Sequence, residues 1–292
     1  MGEEAEAAFA LDQLGVAAWL TGDSEQARDL LGEAVEIRRR LNDQSALANS
    51  LLSLSGALYM LGDFEAMSET SQSGLQLAET LGNRRLAAHF NVSLANVAYI
   101  RGAYAASRRQ LAQSLAIYEE IADRESQALA LHLLSRATLA LGKATEAEKL
   151  SRESLIHRRE IGNKGGMVET LTMSGRIACA TGRIQDAKEF YHEALAIAVN
   201  IQSEPVFAYV FIGLAELLRR EGKELQAAEM LAFASRYSGF PDARAEAARL
   251  RREIEASLQP GAWNSAQETG RRLHLEQVVE RFGARCPTTW QP

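Results

Sequence analysis

The stretch LGVAAWLTGDSEQARDLLGEA, residues 14–34, contains the pattern that decides the fold. Its glycine at position 22 is the first of six that recur at intervals of 40 residues: Gly22, Gly62, Gly102, Gly142, Gly182 and Gly222. A fixed period of about 20–50 residues indicates stacked structural repeats, each of which buries its apolar face against its neighbours. The sequence therefore predicts six 40-residue units over residues 3–240.

Two other positions of each unit hold only small residues. Seven residues before the glycine stand Gly15, Ser55, Ala95, Ser135, Gly175 and Ala215, and twelve after it stand Ala34, Gly74, Ser114, Ser154, Ala194 and Ala234. The apolar residues between them follow the three-and-four spacing of amphipathic helices. Each unit is therefore predicted to be a first helix (helix A), a tight glycine turn and a second helix (helix B), which cross closely at the small residues.

The turns carry their own signals. Glycine readily takes the left-handed conformation that ends a helix, and Asp23 and Asp63 follow it in position to cap helix B. The junction from helix B to the next helix A contains similar helix stops, LND at 41–43, LGN at 81–83 and IGN at 161–163. These signals predict an all-α chain of helical hairpins.

Leu14, Gly15, Gly22, Ala27 and Ala34 reproduce the spacing of the tetratricopeptide repeat, which the chain resembles. That repeat usually has 34 residues and ends with a proline, whereas this one has 40 and lacks the proline, so its helices must be longer. Met67 and Ser107 depart from the pattern's alanine after the turn. The resemblance implies a right-handed α-solenoid, and HEAT-type repeats, which also reach this length, are the other interpretation.

After Pro241 the register fails, and residues 241–283 are predicted to form a cap of two or three helices, followed by a disordered tail at 284–292. The stretch from Trp263 to Val279, with Gly270 shortly before LHLEQ, resembles the end of the sensor region in bacterial STAND-type ATPase regulators. The ATPase motif GxxxxGK[ST] does not occur in the sequence. The resemblance implies the sensor arm of a signalling or transcription regulator without its ATPase.

Composition excludes several classes of protein. The net charge is −6 and the basic residues are scattered, which argues against direct nucleic-acid binding. No stretch approaches the roughly 18 consecutive apolar residues of a membrane span, and the acidic start is unlike a signal peptide. Cys179 and Cys286 are far apart, which argues against a disulfide framework or a thiolate metal site. We therefore expect a cytoplasmic protein without a cofactor.

The resemblance implies that helix A lines the concave groove, so residues at equal offsets in successive units form ladders along it. We predict that an extended peptide or a small effector binds to the aromatic, amide, imidazole and guanidinium groups of these ladders. The candidate residues are Trp19, Asn49, Tyr59, His89, Asn96, Tyr99, His132, Arg136 and Arg176. The alternative is that the aromatic residues pack inside the solenoid and the arginines pair with Glu169 and Glu216.

The sequence contains no recognisable catalytic or metal-binding motif. The five histidines include no HExxH pair, His192 is predicted to have a surface or packing role on a B helix, and Cys179 has no base identifiable beside it. The arginine runs at 38–40, 108–109 and 158–159 are predicted to be solvated helix faces.

We therefore predict a non-enzymatic module that binds a peptide or protein partner, with a small-molecule sensor as the alternative. The chain enters its first helix at about Glu3 without a cap, which is typical of an excised fragment, of a repeat that packs on something else, or of a frayed start. Because such a repeat would pair with its symmetry mate, a homodimer is a further expected assembly.

Overall fold

The computed structural model describes residues 2–237 and 239–282, and the predicted tail at 284–292 lies outside them. These residues form fifteen helices and no strand. The helices are α1 (Gly2–Leu20), α2 (Ser24–Leu41), α3 (Gln44–Leu61), α4 (Phe64–Thr80), α5 (Arg84–Ile100), α6 (Tyr104–Glu120), α7 (Arg124–Ala140), α8 (Ala144–Glu160), α9 (Lys164–Ala180), α10 (Ile184–Ile201), α11 (Glu204–Arg220), α12 (Glu224–Ala234), α13 (Pro241–Ser257), α14 (Pro260–Arg272) and α15 (Leu275–Arg281).

Helices α1 to α12 alternate as the A and B helices of six hairpins, so the predicted helix pairs are confirmed. The chain divides into two compact units, unit 1 (Met1–Ala130) and unit 2 (Leu131–Pro292). Consecutive helices pack against one another from α1 to α6 in unit 1 and from α8 to α13 in unit 2, as expected of a helical repeat array. The Ser135 hydroxyl of α7 donates to the carbonyl of Ala147 in α8 at 2.8 Å. Among the described residues, no helix has the length and apolarity needed to cross a membrane.

The turn geometry of the repeats follows from a residue in the left-handed conformation at every junction between α1 and α12. All six periodic glycines have positive φ, between 74° at Gly222 and 89° at Gly22. The junctions from helix B to helix A use the same conformation, and there the residue is Asn42, Gly82, Ala122, Gly162 or Gln202. Left-handed residues thus recur every 20 residues from 22 to 222, because both kinds of junction reverse the chain in the same way.

The predicted caps are present. The Asp23 carboxylate accepts a hydrogen bond from the backbone N–H of Gln26 at 3.0 Å, and Asp63 accepts one from Ala66 at 3.1 Å. Each bond satisfies an N–H group that the first helical turn leaves unpaired, and such caps typically contribute about 1 kcal/mol.

The small residues explain how closely the helices approach. All twelve small positions are buried. A Cβ on Gly74 would lie 2.1 Å from the Phe90 ring, and one on Gly213 would lie 2.3 Å from the Tyr191 ring. Each large ring therefore fills the space that a glycine on a neighbouring helix leaves open.

Unit 2 has the larger apolar core, because the helices after the repeats add to it. Helix α13 packs on α11 and α12, and α14 packs on α12. Leu250 and Ile254 of α13, Trp263 of α14 and Val278 of α15 are buried in the same cluster. The segment 241–282 is thus an integral part of the core of unit 2.

Candidate functional site

The aromatic ladder of unit 1 lies in the last turns of three A helices. Trp19 of α1 is 36% exposed, and Tyr59 of α3 and Tyr99 of α5 are half-buried. Tyr59 lies against Phe64 with ring centroids 6.4 Å apart, and Tyr99 lies against Tyr104 at 5.2 Å. Each tyrosine therefore packs across its own glycine turn and keeps part of its ring exposed.

The polar candidates of unit 1 differ in accessibility. Asn49 of α3 is exposed, and its amide donates to the carbonyl of Ser45 at 3.0 Å. Asn96 is half-buried and lies one helical turn before Tyr99 on α5. A short row of aromatic and amide groups thus follows the A helices of unit 1.

His89 is held inside unit 1. Its Nδ1 lies 3.0 Å from the hydroxyl of Tyr118, and the two rings are in contact. Burial, followed by the positive charge of Arg85, lowers the pKa of His89, and burial raises the pKa of Tyr118. The pair is therefore neutral near pH 7 and contributes to packing between α5 and α6.

In unit 2 the arginine ladder meets carboxylates of α13. Arg136 of α7 pairs with Asp242, and the two side chains are only 6% and 8% exposed. Asp242 also accepts a hydrogen bond from the hydroxyl of Tyr209 at 2.7 Å. Arg176 of α9 pairs with Glu246 at 3.1 Å. Helix α13 therefore lies against groups that the sequence predicts to face a ligand.

The C-terminal half of α13 continues this contact at α11. Glu253 lies 3.4 Å from Arg219, and Glu216 accepts hydrogen bonds from Arg219 and Arg220. Burial raises the pKa of Glu216, but the bonds from the two arginines outweigh it, so the net pKa is lowered. Burial likewise opposes ionisation of Glu246, and the charge of Arg176 lowers its pKa overall. Both carboxylates are ionised near pH 7. Glu246 therefore gives α13 a negative charge opposite Arg176 of α9. Glu216 instead compensates the charges of Arg219 and Arg220 on its own helix, α11.

The alternative interpretation of the sequence pairs the ladder arginines with Glu169 and Glu216, and the structure gives them other partners. Glu169 pairs with Arg158 at 2.9 Å, while Arg136 and Arg176 pair with α13. Arg158 is 3% exposed and also donates to the carbonyl of Gly166. Arg38 is buried and pairs with Asp12. The prediction of solvated faces at 38–40 and 158–159 is therefore wrong for Arg38 and Arg158, because both side chains turn towards the adjacent A helix.

His132 lies between these arginines on α7. It is 8% exposed, and its Nδ1 has no hydrogen-bond partner among the described residues. Burial, followed by the positive charges of Arg158, Arg136 and Arg176, holds the pKa of His132 well below its usual value. The imidazole is therefore neutral at physiological pH.

We expect the neutrality of His132 to make unit 2 less stable in acid. Its folded-state pKa is depressed, so the unfolded chain binds the extra proton, and stability falls as the pH drops below the ordinary histidine pKa of about 6.5. One such proton gives a limiting slope of about 1.4 kcal/mol per pH unit. Urea unfolding of His132→Gln at pH 7.5 and 5.0 should show a smaller acid loss than wild type. His192→Gln, on the exposed face of α10, is the control and should follow wild type; equal acid losses in all three proteins would contradict the expectation.

Cys179 is placed unfavourably for reaction. It is buried in α9, and burial raises the pKa of its thiol to about 11. A thiol in this state is a poor nucleophile and a poor metal ligand. Among the described residues, no group of histidine, cysteine and carboxylate side chains could hold a metal ion. Cys286 lies outside these residues.

One feature of unit 2 has no counterpart among the predicted sites. A cavity of about 540 Å³ lies between α11, α12, α13 and α14. Its lining combines an apolar floor with four arginines, Arg236, Arg244, Arg251 and Arg271. The sequence signal would have been four arginines around Trp263, but they lie in three separate helical or loop segments.

The comparisons with known proteins agree on the fold. The family model of the tetratricopeptide repeat matches residues 10–44 and 92–128. No protein of curated function shows significant sequence similarity to the chain. The chain nevertheless has the fold of tetratricopeptide-like repeats, because its helix pairs and turn positions follow that pattern and the solved structures share the fold.

Three solved structures are similar to it. A Rap protein complexed with Competence and Sporulation Factor has 15% identity and a TM-score of 0.69, over 94% of this chain and 76% of that one. A signal transduction ATPase with numerous domains (STAND) and a tetratricopeptide repeat sensor, from Pyrococcus horikoshii, has 16% identity and a TM-score of 0.59, over 94% of this chain and 43% of that one. A tetratricopeptide repeat protein from Parabacteroides merdae has 13% identity and a TM-score of 0.51, over 91% and 99%.

Proposed function

We propose that the chain is a non-enzymatic interaction module that binds a peptide or protein partner on the groove-facing A helices of unit 1. The binding surface consists of the exposed or half-buried groups Trp19, Asn49, Tyr59, Asn96 and Tyr99. Aromatic rings supply contact area at low entropic cost, and asparagine amides can pair with the backbone of an extended peptide. Partners therefore include segments that present apolar side chains together with accessible backbone groups.

The observation that carries this proposal lies in unit 2. There the A helices accommodate α13, whose carboxylates meet Arg136 and Arg176 while its apolar side chains enter the core. In unit 2 the A-helix surface thus binds an amphipathic helix of its own chain. This supports the proposal that the equivalent A-helix positions of unit 1 bind a segment of another chain. In unit 2, binding of a partner to His132, Arg136 or Arg176 would require α13 to leave.

The proposal includes a role as the sensor region of a bacterial signalling or transcription regulator in the cytoplasm. The similarity to a Rap protein complexed with Competence and Sporulation Factor and to a STAND protein with a tetratricopeptide repeat sensor supports this role. The net charge of −6 favours a protein or peptide partner over nucleic acid. The proposed role is also compatible with self-association through α1, since the apolar side chains of Phe9 and Leu14 are 61% and 58% exposed.

We expect Tyr99→Ala to weaken partner binding at least tenfold, because a central aromatic group contributes disproportionately to an interface. The immobilised chain would be screened against a library of random 12-residue peptides and against lysate of the source organism. Peptides or proteins that bind wild type would then be titrated against each variant.

Tyr104→Ala is the matched control. It removes the same contact between the rings of Tyr99 and Tyr104, but from helix B, so both variants lose similar packing and only Tyr99→Ala changes the A-helix surface. Equal binding by the two variants, with equal helicity by circular dichroism, would reject the surface of unit 1 as the binding site.

A second candidate function is sensing of a small effector. The observation that favours it is the arginine-lined cavity of unit 2, which is separate from the unit 1 surface and has the volume of small-molecule pockets, about 300–1,000 Å³.

A further inference from the structure

The cavity of unit 2 has an apolar floor and an amphipathic wall. Ala208 and Ile212 of α11, Leu231 of α12 and Ala247 of α13 supply aliphatic surface, and Trp263 of α14 supplies an aromatic face. Such a floor can bury the body of a small organic molecule, and burial of apolar area drives its binding.

The charge of the cavity lining is entirely positive. Arg236, Arg244, Arg251 and Arg271 line it, and none of the lining residues is an aspartate or a glutamate. Elsewhere in unit 2, Arg136 and Arg176 pair with carboxylates that are 8% and 16% exposed. Arg251 of the cavity instead pairs with Glu255, which is 50% exposed and does not line the cavity. Four guanidinium groups around one apolar floor form a positive potential that favours an anion.

Local contacts hold three of these arginines at the cavity wall. Arg236 donates to the carbonyl of Leu273 at 2.6 Å, and Arg244 donates to the carbonyl of Gly239 at 2.9 Å. Arg251 lies over the Trp263 ring at 5.6 Å and 3.7 Å from the carboxylate of Glu255. That ion pair is exposed, and pairs of this kind contribute little to stability. The guanidinium groups are thus positioned before any ligand arrives.

Arg271 differs from the other three arginines, because no local contact of this kind with a described residue holds its side chain at the cavity wall. It is exposed in the last turn of α14, and no hydrogen bond or ion pair joins it to another described residue. The helix dipole favours a cation at this end of α14, but the adjacent Arg272 satisfies that preference equally and does not line the cavity.

We propose that this cavity binds an organic anion, with an apolar or aromatic body on the floor and a carboxylate or phosphate group between Arg251 and Arg271. Guanidinium groups match both oxyanions through paired N–H donors. The volume of about 540 Å³ is that of a small-molecule pocket. This inference deepens the second candidate function and rests on it, and it is independent of the unit 1 surface.

Isothermal titration calorimetry with 2-naphthoate, 2-naphthyl phosphate and the neutral 2-naphthamide tests the proposal on the full chain. We expect at least one anion to bind with 1:1 stoichiometry and the amide to bind at least tenfold more weakly. Comparison of the affinities of 2-naphthoate and 2-naphthyl phosphate shows whether the site prefers a carboxylate or a phosphate group. The double variant Arg251→Gln, Arg271→Gln should weaken anion binding at least tenfold, and Arg272→Gln, on the same exposed helical turn, should leave it unchanged.

A second variant tests the floor. Ala248 lines the cavity but is exposed, so Ala248→Phe should fill the cavity without disturbing the core and should abolish binding of all three compounds. Absence of anion binding, equal binding of the amide, or equal effects of the double variant and Arg272→Gln would overturn the proposal. Anion binding that leaves partner capture unchanged would uphold the site and reject effector sensing as its function.

Discussion

Gly270→Ala is expected to lower the free energy of unfolding of unit 2 by about 3–5 kcal/mol, a loss typical of severe packing defects. A Cβ at this position would lie 2.1 Å from the carbonyl oxygen of Glu229 and 2.7 Å from the Cβ of Ala232, both on α12. Contacts this short require a whole helix to move, because the nearest atom belongs to the backbone. Helix α14 would shift from α12 and withdraw Trp263 and Ala266 from the core.

Gly261→Ala, on the same helix, is the matched control. No atom lies within 4 Å of a Cβ built there, so the change adds only helix propensity and should be neutral or stabilising by up to about 1 kcal/mol. Urea unfolding followed by circular dichroism measures both variants. If Gly270→Ala were as stable as Gly261→Ala, the close approach of α12 and α14 would be refuted.

Asp242→Ala is expected to cost about 3–5 kcal/mol, because it leaves the buried Arg136 guanidinium without its carboxylate. It also removes the acceptor of the Tyr209 hydroxyl. The cost arises mainly from an uncompensated buried charge, so the pair can be removed together at a lower cost. We expect Arg136→Met combined with Asp242→Ala to be more stable than Asp242→Ala alone.

Glu255→Ala provides the comparison on the same helix. Glu255 pairs with Arg251 at 3.7 Å, but the two side chains are 50% and 60% exposed, so its loss should cost less than about 1 kcal/mol. The same urea titration applies to all four proteins. The expectation would be contradicted if Asp242→Ala and Glu255→Ala lowered the free energy of unfolding equally. It would also be contradicted if the double variant were no more stable than Asp242→Ala alone.

The candidate site was only partly predictable from the sequence. Tyr59 and Tyr99 could be placed on the A helices, because their offset from the turn glycine sets the helix face. The partners of Arg136 and Arg176 could not, since Asp242 lies 106 residues after Arg136 and follows the end of the repeat register. A weak signal existed: Asp242, Glu246 and Glu253 share one face of α13 at spacings of four and seven residues.

The sequence by itself determined the helices, their turns and their close crossings. These depend on residues within a few positions of each other: a left-handed glycine at 22 and its five equivalents, a capping aspartate beside it, and small residues at fixed offsets. Repetition multiplies such local signals sixfold, so the amino-acid sequence alone displays the period.

Only the tertiary structure decided which charged groups meet and where a cavity remains. The docking of α13 and α14 places Asp242 against Arg136 and leaves a space lined by Arg244, Arg251 and Arg271. These arrangements depend on long-range packing between elements with no shared period, and a side chain's own sequence neighbours do not encode its distant partners. Local periodicity therefore specifies the repeats, whereas packing of the non-repeating C-terminal helices specifies the chemistry of unit 2.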